Sequence, residues 1–258
     1  MSVYLGNIEI KLSSSSSGGS GSGGSSGGGD TPSYTYPDDA IDLGLPSGIR
    51  WATANWGVSG VTKSVDSTDI GYYVQHGNQI GGTANDAKYW GWSDMDCNGG
   101  SDSVFLEEIQ IWDESYTAEN SDTGAYNLTL DTDCVNLDWG SGWRIPTQAE
   151  CIELISNTTI TQVTVNSVRC WKLTNKSDSS KYILLPRAGY LPCGTASSPT
   201  LTGSGMVAAY WSSTVCAVDG SDDEQYAYCM QAISTLRTIN ASRSWAMPIR
   251  PVYDPTIV

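Results

Sequence analysis

A single histidine, His76, stands in a chain of 258 residues, alongside a single phenylalanine. That scarcity excludes much chemistry. General acid–base catalysis uses His most often, and nucleophilic triads and zinc sites draw on it too. His76 therefore reads as a structural residue. The cysteines point the same way. Cys97, Cys134, Cys151, Cys170, Cys193, Cys216 and Cys229 are odd in number and include no CxxC pair, which argues against a zinc cluster. They read as buried free thiols made in a reducing cytosol, with one or two disulfides as the alternative. Positive charge is scarce as well: 13 Lys and Arg face 28 Asp and Glu, a net charge of −15. Phosphate backbones and anionic membrane surfaces both require clustered cations, so no nucleic-acid partner is expected. Acidity of this size favours solubility. Long apolar runs are missing too. None approaches the ~20 residues that span a bilayer, so no membrane insertion is expected. Met1 to Ile10 carry neither a basic stretch nor a long apolar one and do not read as a signal peptide.

What is abundant is Trp and Tyr, ten and fourteen respectively. Both combine apolar area with a polar handle, which suits half-buried positions and binding surfaces as well as cores. Residues 1–12 read as one short strand, too small to fold without a partner. Residues 13–29 are Ser and Gly only, a flexible linker with a reach of roughly 20–25 Å. The pattern suggests an anchor, a leash and a head, with the globular domain over residues 30–258. Within it, Thr147 and Glu150 form a capping box, and Cys151, Leu154 and Ile155 follow at helical spacing. A helix is predicted over 148–156 and a shorter one over 131–137. Residues 159–174 are β-rich, 176–180 form a turn, and 182–185 return as a strand. Gly, Asn, Asp and Ser dominate elsewhere, so long loops are expected, and loops on a rigid frame commonly carry binding.

Two acidic patterns carry candidate chemistry. Asp94, Asp96 and Asn98 alternate ahead of Gly99, with Asp102 at the ninth position, as in the opening of a calcium loop. The twelfth position is Phe105 in place of a bidentate Glu, so Ca2+ held there would be weak. No other cofactor is expected. Pairs such as Asp222-Asp223-Glu224 could serve a glycosidase, but 28 acidic residues make such pairs common by chance.

Four ordered segments carry more. They are Leu45-Pro46-Ser47-Gly48-Ile49-Arg50-Trp51-Ala52-Thr53, Trp139-Gly140-Ser141-Gly142-Trp143-Arg144-Ile145-Pro146-Thr147, Ala209-Tyr210-Trp211-Ser212-Ser213-Thr214 and Pro248-Ile249-Arg250-Pro251-Val252. In this order they resemble the Fibrobacter succinogenes major paralogous domain, grouped with the C-type lectin and formylglycine-generating-enzyme folds. The resemblance spans about residues 42–253. His76 and Asn78 stand where the family usually has Trp and Glu, and Ala246 or Met247 where it has Gly. The resemblance implies an α+β, C-type-lectin-like domain with two short helices, small antiparallel sheets and long loops. It assigns Trp51, Trp143, Arg144, Trp211, Ser212, Arg250 and Pro251 to the frame. Formylglycine-generating relatives use a closely spaced Cys pair, whereas Cys216 and Cys229 lie thirteen apart, which argues against that oxidase activity.

Relatives in gut bacteria and their phages resemble targets of diversity-generating retroelements, which vary the stretch between the Trp-Ser-Ser and Arg-Pro-Val motifs. Here that stretch supplies the candidate ligand face: Asp219, Asp222, Asp223, Tyr226, Tyr228, Arg237, Asn240, Ser242, Arg243 and Trp245. Tyr, Ser, Asn and Asp with a few Arg and Trp is also the composition of antibody paratopes. The expectation is a non-enzymatic receptor-binding protein of a phage virion or fibre tip, holding a bacterial surface glycan or protein. It would form a homo-oligomer and dock on the virion or fibre scaffold through residues 1–12. The alternatives are a bacterial cell-surface adhesin, a polysaccharide-acting enzyme, and a virion decoration with no ligand.

Overall fold

Short β-forming runs separated by Gly-, Ser- and Asn-rich turns give this chain many small sheets and little helix. The computed structural model describes residues 2–5, 8–11, 34–58, 67–78, 126–192, 200–216 and 226–258. The chain divides into two units, Met1–Tyr34 and Thr35–Val258.

In the first unit, β1 (Ser2–Leu5) and β2 (Ile8–Lys11) pair antiparallel, with Leu5 opposite Ile8. The single strand expected over 1–12 is thus two strands. Gly6-Asn7 falls between the paired residues, a dipeptide that favours two-residue hairpins. The Ser/Gly linker predicted over 13–29 lies outside the described residues.

The second unit runs β3 (Ala40–Ile41), β4 (Arg50–Ala52), β5 (Val74–Gln75), β6 (Tyr126–Asn127), α1 (Cys134–Trp139), β7 (Trp143–Arg144) and α2 (Gln148–Asn157). It continues with β8 (Thr158–Val165), β9 (Val168–Asn175), β10 (Tyr182–Pro186), β11 (Ala208–Val215), β12 (Tyr226–Ala232), β13 (Leu236–Ser242), β14 (Ala246–Met247) and β15 (Val252–Tyr253). These strands form sheets ordered β10-β9-β8, β13-β12-β11-β6, β14-β5 and β3-β4-β15-β7, with every pairing antiparallel. Among the described residues the architecture is α+β, with two short helices and several small antiparallel sheets. Among the described residues no helix is long and apolar enough to cross a membrane.

Local chemistry explains the boundaries. The capping box at α2 is formed as expected: Glu150 N donates to Thr147 Oγ1 and Thr147 N to Glu150 Oε2. α1 begins at Cys134, three residues later than predicted, because Asp133 is its N-cap. The Asp133 carboxylate accepts from Val135 N, Asn136 N and Ile145 N at 2.7–3.1 Å. Burial pushes its pKa up to about 6 while these amides pull it down. The β-rich stretch 159–174 is broken at Asn166 and Ser167, both in the left-handed region, with φ of 47° and 66°. Positive φ at both central residues is what a tight hairpin turn requires. The stretch therefore folds back on itself as β8 and β9, with Val165 opposite Val168.

The sheet β13-β12-β11-β6 has core on both faces. Strand alternation sends Trp211, Cys229 and Ala241 to one cluster, with Trp56, Val135 and Ile249. It sends Tyr210, Met230 and Leu236 to the other, with Trp51, Leu154 and Trp171. All eight residues of β11 are buried, so its polar residues need internal partners. They have them. The β11–β12 register shifts between Trp211 and Val215, and Ser212 Oγ closes the bulge by donating to Tyr228 O at 2.7 Å. Thr214 Oγ1 accepts from Gln148 N at 2.9 Å, at the start of α2. The five described cysteines are all buried free thiols, as expected.

Arg250 ties these parts together. It is 0% exposed. Nε donates to Asn55 Oδ1 at 2.8 Å, Nη1 to Ala52 O at 3.0 Å and Nη2 to Leu184 O at 2.6 Å. Asn55 Nδ2 in turn donates to Ile70 O, and Tyr210 OH to Pro186 O. Burial pulls the guanidinium pKa down to about 10, so it remains charged at neutral pH.

Two predictions follow from this frame. Arg250→Leu strands two buried carbonyls and an amide oxygen, each costing about 1–3 kcal/mol. The expected loss is about 3 kcal/mol or more of unfolding free energy in urea, with the m-value unchanged. Gly142 has φ +88°, and a Cβ there would collide with the Tyr253 ring. That ring is already packed edge-on against Trp143 and Tyr36. Gly142→Ala is accordingly expected to lower the melting temperature, and more than Gly140→Ala, whose Cβ would meet nothing within 4 Å.

Candidate functional site

Paired residues in an antiparallel sheet share a face. Tyr226 is opposite Ser242, Tyr228 opposite Asn240, Met230 opposite Thr238 and Ala232 opposite Leu236. One face of the β12–β13 hairpin therefore carries all eight. Its Met230–Leu236 end is core, packed near α2. Its other end runs past the core. There Tyr226 and Asn240 are exposed, while Tyr228 and Ser242 are half-buried.

This end brings together four of the expected ligand residues. Tyr228 is hydrogen-bonded to the Cys216 thiol and the Gln148 side chain. The thiol contact, followed by burial, pushes the phenol pKa up to about 12, so it remains a neutral hydroxyl. Asn240 Nδ2 points at Cys216 Sγ, 3.7 Å away. Ser242 Oγ is 2.8 Å from Ser244 Oγ. A turn then brings Trp245 N to Ser242 O at 3.0 Å, and the Trp245 ring stacks on Tyr190 with centroids 4.9 Å apart and 12° between planes. The patch offers rings, an amide and hydroxyls, a set suited to stacking on an apolar sugar face and bonding its hydroxyls. Cys216 N donates to Tyr226 O at 2.9 Å, the last described pairing before the segment 217–225. Asp219, Asp222 and Asp223 belong to that segment and lie outside the described residues.

Two expected ligand residues sit elsewhere. Arg237 is exposed but lies opposite Gln231, on the other face of the hairpin. Arg243, expected on the ligand face, is instead turned inward and 1% exposed. Its Nε donates to His76 Nδ1 at 3.2 Å. This fixes the imidazole as the Nε2–H tautomer, with Nε2 donating to Ser212 O at 3.0 Å. The ring also meets Trp211 edge-on at 5.3 Å. Burial, then the Arg243 charge, hold the His76 pKa well below 6.5. The ring is 2% exposed, closed off from solvent by its neighbours.

The residues assigned to the frame are placed as follows. Trp51, Trp143, Trp211, Ser212, Arg250 and Pro251 are buried. Arg144 is half-buried and grips Glu150 in a two-point contact at 2.6 and 2.8 Å, with Asp254 at 3.1 Å. It thus joins the start of α2 to the end of the chain. The candidate calcium ligands Asp94, Asp96, Asn98 and Asp102 lie outside the described residues. Among the described residues no three His, Cys, Asp or Glu side chains converge as metal ligands.

Sequence reasoning missed Gln148 and Cys216 as members of the patch, where only the pairing of β11 with β12 and with the start of α2 brings them. The Tyr190–Trp245 stack packs against the core on the other face of the sheet. No family model, curated protein or solved structure matches the chain.

The buried His76 generates a pH prediction. Its folded pKa is depressed, so the unfolded chain takes up the proton first as pH falls. The stability it contributes is complete above 6.5 and is lost on acidification toward the folded value, at about 1.4 kcal/mol per unit. As the sole histidine, its imidazole 15N signals are unambiguous. They are expected to keep the neutral Nε2–H signature as pH falls through 6.5. Ordinary titration near 6.5 would contradict the buried pair.

Proposed function

We infer that the second unit is a C-type-lectin-like recognition module, not an enzyme, and that it binds a bacterial surface glycan or protein through the open end of β12–β13. The observation that carries the reading is the shared face of Tyr226, Tyr228, Asn240 and Ser242, beyond the core. Two rings and neutral hydrogen-bonding groups on a rigid hairpin match what stacking on a sugar demands, at low entropy cost. The ordered Trp-Ser-Ser and Arg-Pro-Val motifs support the fold assignment. They lie inside the domain, where they serve stability and leave the hairpin end free.

In this proposal the module is the head of a phage fibre-tip or virion protein, with β1–β2 as the scaffold-docking element. Single sites of this kind bind weakly, and several heads on one assembly would raise avidity.

The test uses the full chain on a glycan array and on intact bacterial cells. Tyr226→Ser combined with Tyr228→Ser is expected to weaken binding about tenfold or more with little change in thermal unfolding. Arg237→Ser, on the opposite face, is expected to bind as the unaltered protein does. Equal binding by the double variant, or catalytic turnover of a bound saccharide, would overturn the reading.

A further inference from the structure

Charge is unevenly distributed along this chain. From Leu154 to Val218 the sole acidic residue is Asp178, whereas Arg169, Lys172, Lys176, Lys181 and Arg187 supply five of the 13 cations. Strand pairing gathers two of them. Thr164 faces Arg169 across β8–β9, and Gln162 faces Trp171. Arg187 N donates to Arg169 O at 2.9 Å, which extends the β9–β10 ladder one row past Pro186 and Cys170. Thr164, Arg169 and Arg187 therefore form one row across three strands. The next row on that face is Gln162, Trp171 and Leu185. Trp171 and Leu185 belong to the core. The Arg row lies beyond it, and a cleft of about 190 Å³ opens among Gln162, Val163, Thr164, Arg169 and Arg187.

The state of the two guanidinium groups distinguishes this cleft from a solvated surface. Arg187 is seated on Trp171, its central carbon 5.0 Å from the ring centroid. Its Nε is buried and makes no hydrogen bond among the described residues. Ion pairs among the described residues engage Arg144 and Lys181 but neither Arg169 nor Arg187. In a chain with twice as many acids as bases, two arginines lining one cleft with no carboxylate paired to them among the described residues are an anomaly. Guanidinium forks match the paired oxygens of carboxylates and sulfates. An oxyanion between them would relieve their mutual repulsion.

We propose that this cleft is a second binding site, for the oxyanion of an acidic saccharide, either a uronate carboxylate or a sulfate ester. Arg169 and Arg187 hold the charge, and Gln162 and Thr164, on the same face of the sheet, bond neighbouring hydroxyls. The volume is below the roughly 300–1,000 Å³ of pockets that enclose a drug-sized ligand, so the site takes one terminal sugar unit. Two cations in a chain of net charge −15 do not track a phosphate backbone. The site is on a different sheet from the Tyr226–Ser242 face and does not depend on the reading of that face.

The experiment titrates the full chain, at constant ionic strength, with glucuronate, glucose 6-sulfate, glucose and inorganic sulfate. The readouts are the Arg187 Nε–H and Trp171 indole N–H NMR signals. Glucuronate or glucose 6-sulfate, or both, are expected to shift these signals saturably, and which one does so identifies the anion; glucose should not shift them. Arg169→Gln, at an exposed position, should weaken the response about tenfold or more. Arg187→Lys keeps the charge and the stem over Trp171 but loses the fork, and should weaken it too. No saturable shift, an equal shift in both variants, or a response to inorganic sulfate as strong as to either acidic sugar would overturn the proposal.

Discussion

A guanidinium stripped of water at the centre of the domain sets the terms for everything around it. Removing Arg250 from solvent costs several kcal/mol, and no carboxylate accompanies it among the described residues. Three hydrogen bonds to neutral oxygens, worth about 1.5–3 kcal/mol each when charge-assisted, roughly offset that cost. The net energy is therefore small, and the constraint is large. Only one arrangement of Ala52, Asn55 and Leu184 satisfies the fork. That arrangement joins β4 and the turn after it, the edge of the β8–β10 sheet and the closing segment. Arg144 does the same at the surface, linking α2 to Asp254.

Much of this was legible in the sequence where the signal is local. Thr147 and Glu150 announced α2 because a capping box depends only on residues three apart. The return strand at Tyr182–Pro186 followed from its turn. What depends on pairing was not legible. The β-rich stretch hid a two-residue turn at Asn166-Ser167, because Val, Thr and Ile flank it on both sides. Arg243 read as a surface residue because Arg usually is one. Its partner His76 is 167 positions earlier, and no local pattern joins them. Arg237 and Asn240 read alike until register put them on opposite faces. Arg169 and Arg187 are eighteen apart in sequence and adjacent only through the β9–β10 ladder.

The two proposed sites illustrate one design. Each is the end of a sheet face that continues past its core. On β12–β13 the overhang carries neutral rings and amides, and on β8–β10 it carries two cations. The core beneath fixes the geometry, and the overhang supplies the chemistry. Both overhangs rest on aromatic or thiol neighbours that order their side chains without consuming their outward groups: Cys216 beneath Tyr228, Trp171 beneath Arg187.

The β12–β13 hairpin also sets a gradient of mutational tolerance along a single strand pair. At Ala232–Leu236 and Met230–Thr238 the shared face packs into the interior, and heritable change there falls on folding. Further on, at Tyr228–Asn240 and Tyr226–Ser242, the same face is half-buried to exposed, and in the proposed reading change there falls chiefly on recognition. Selection for new partners can then act on one end of a hairpin while selection for a stable fold acts on the other, with a span of only a few residues separating the two regimes.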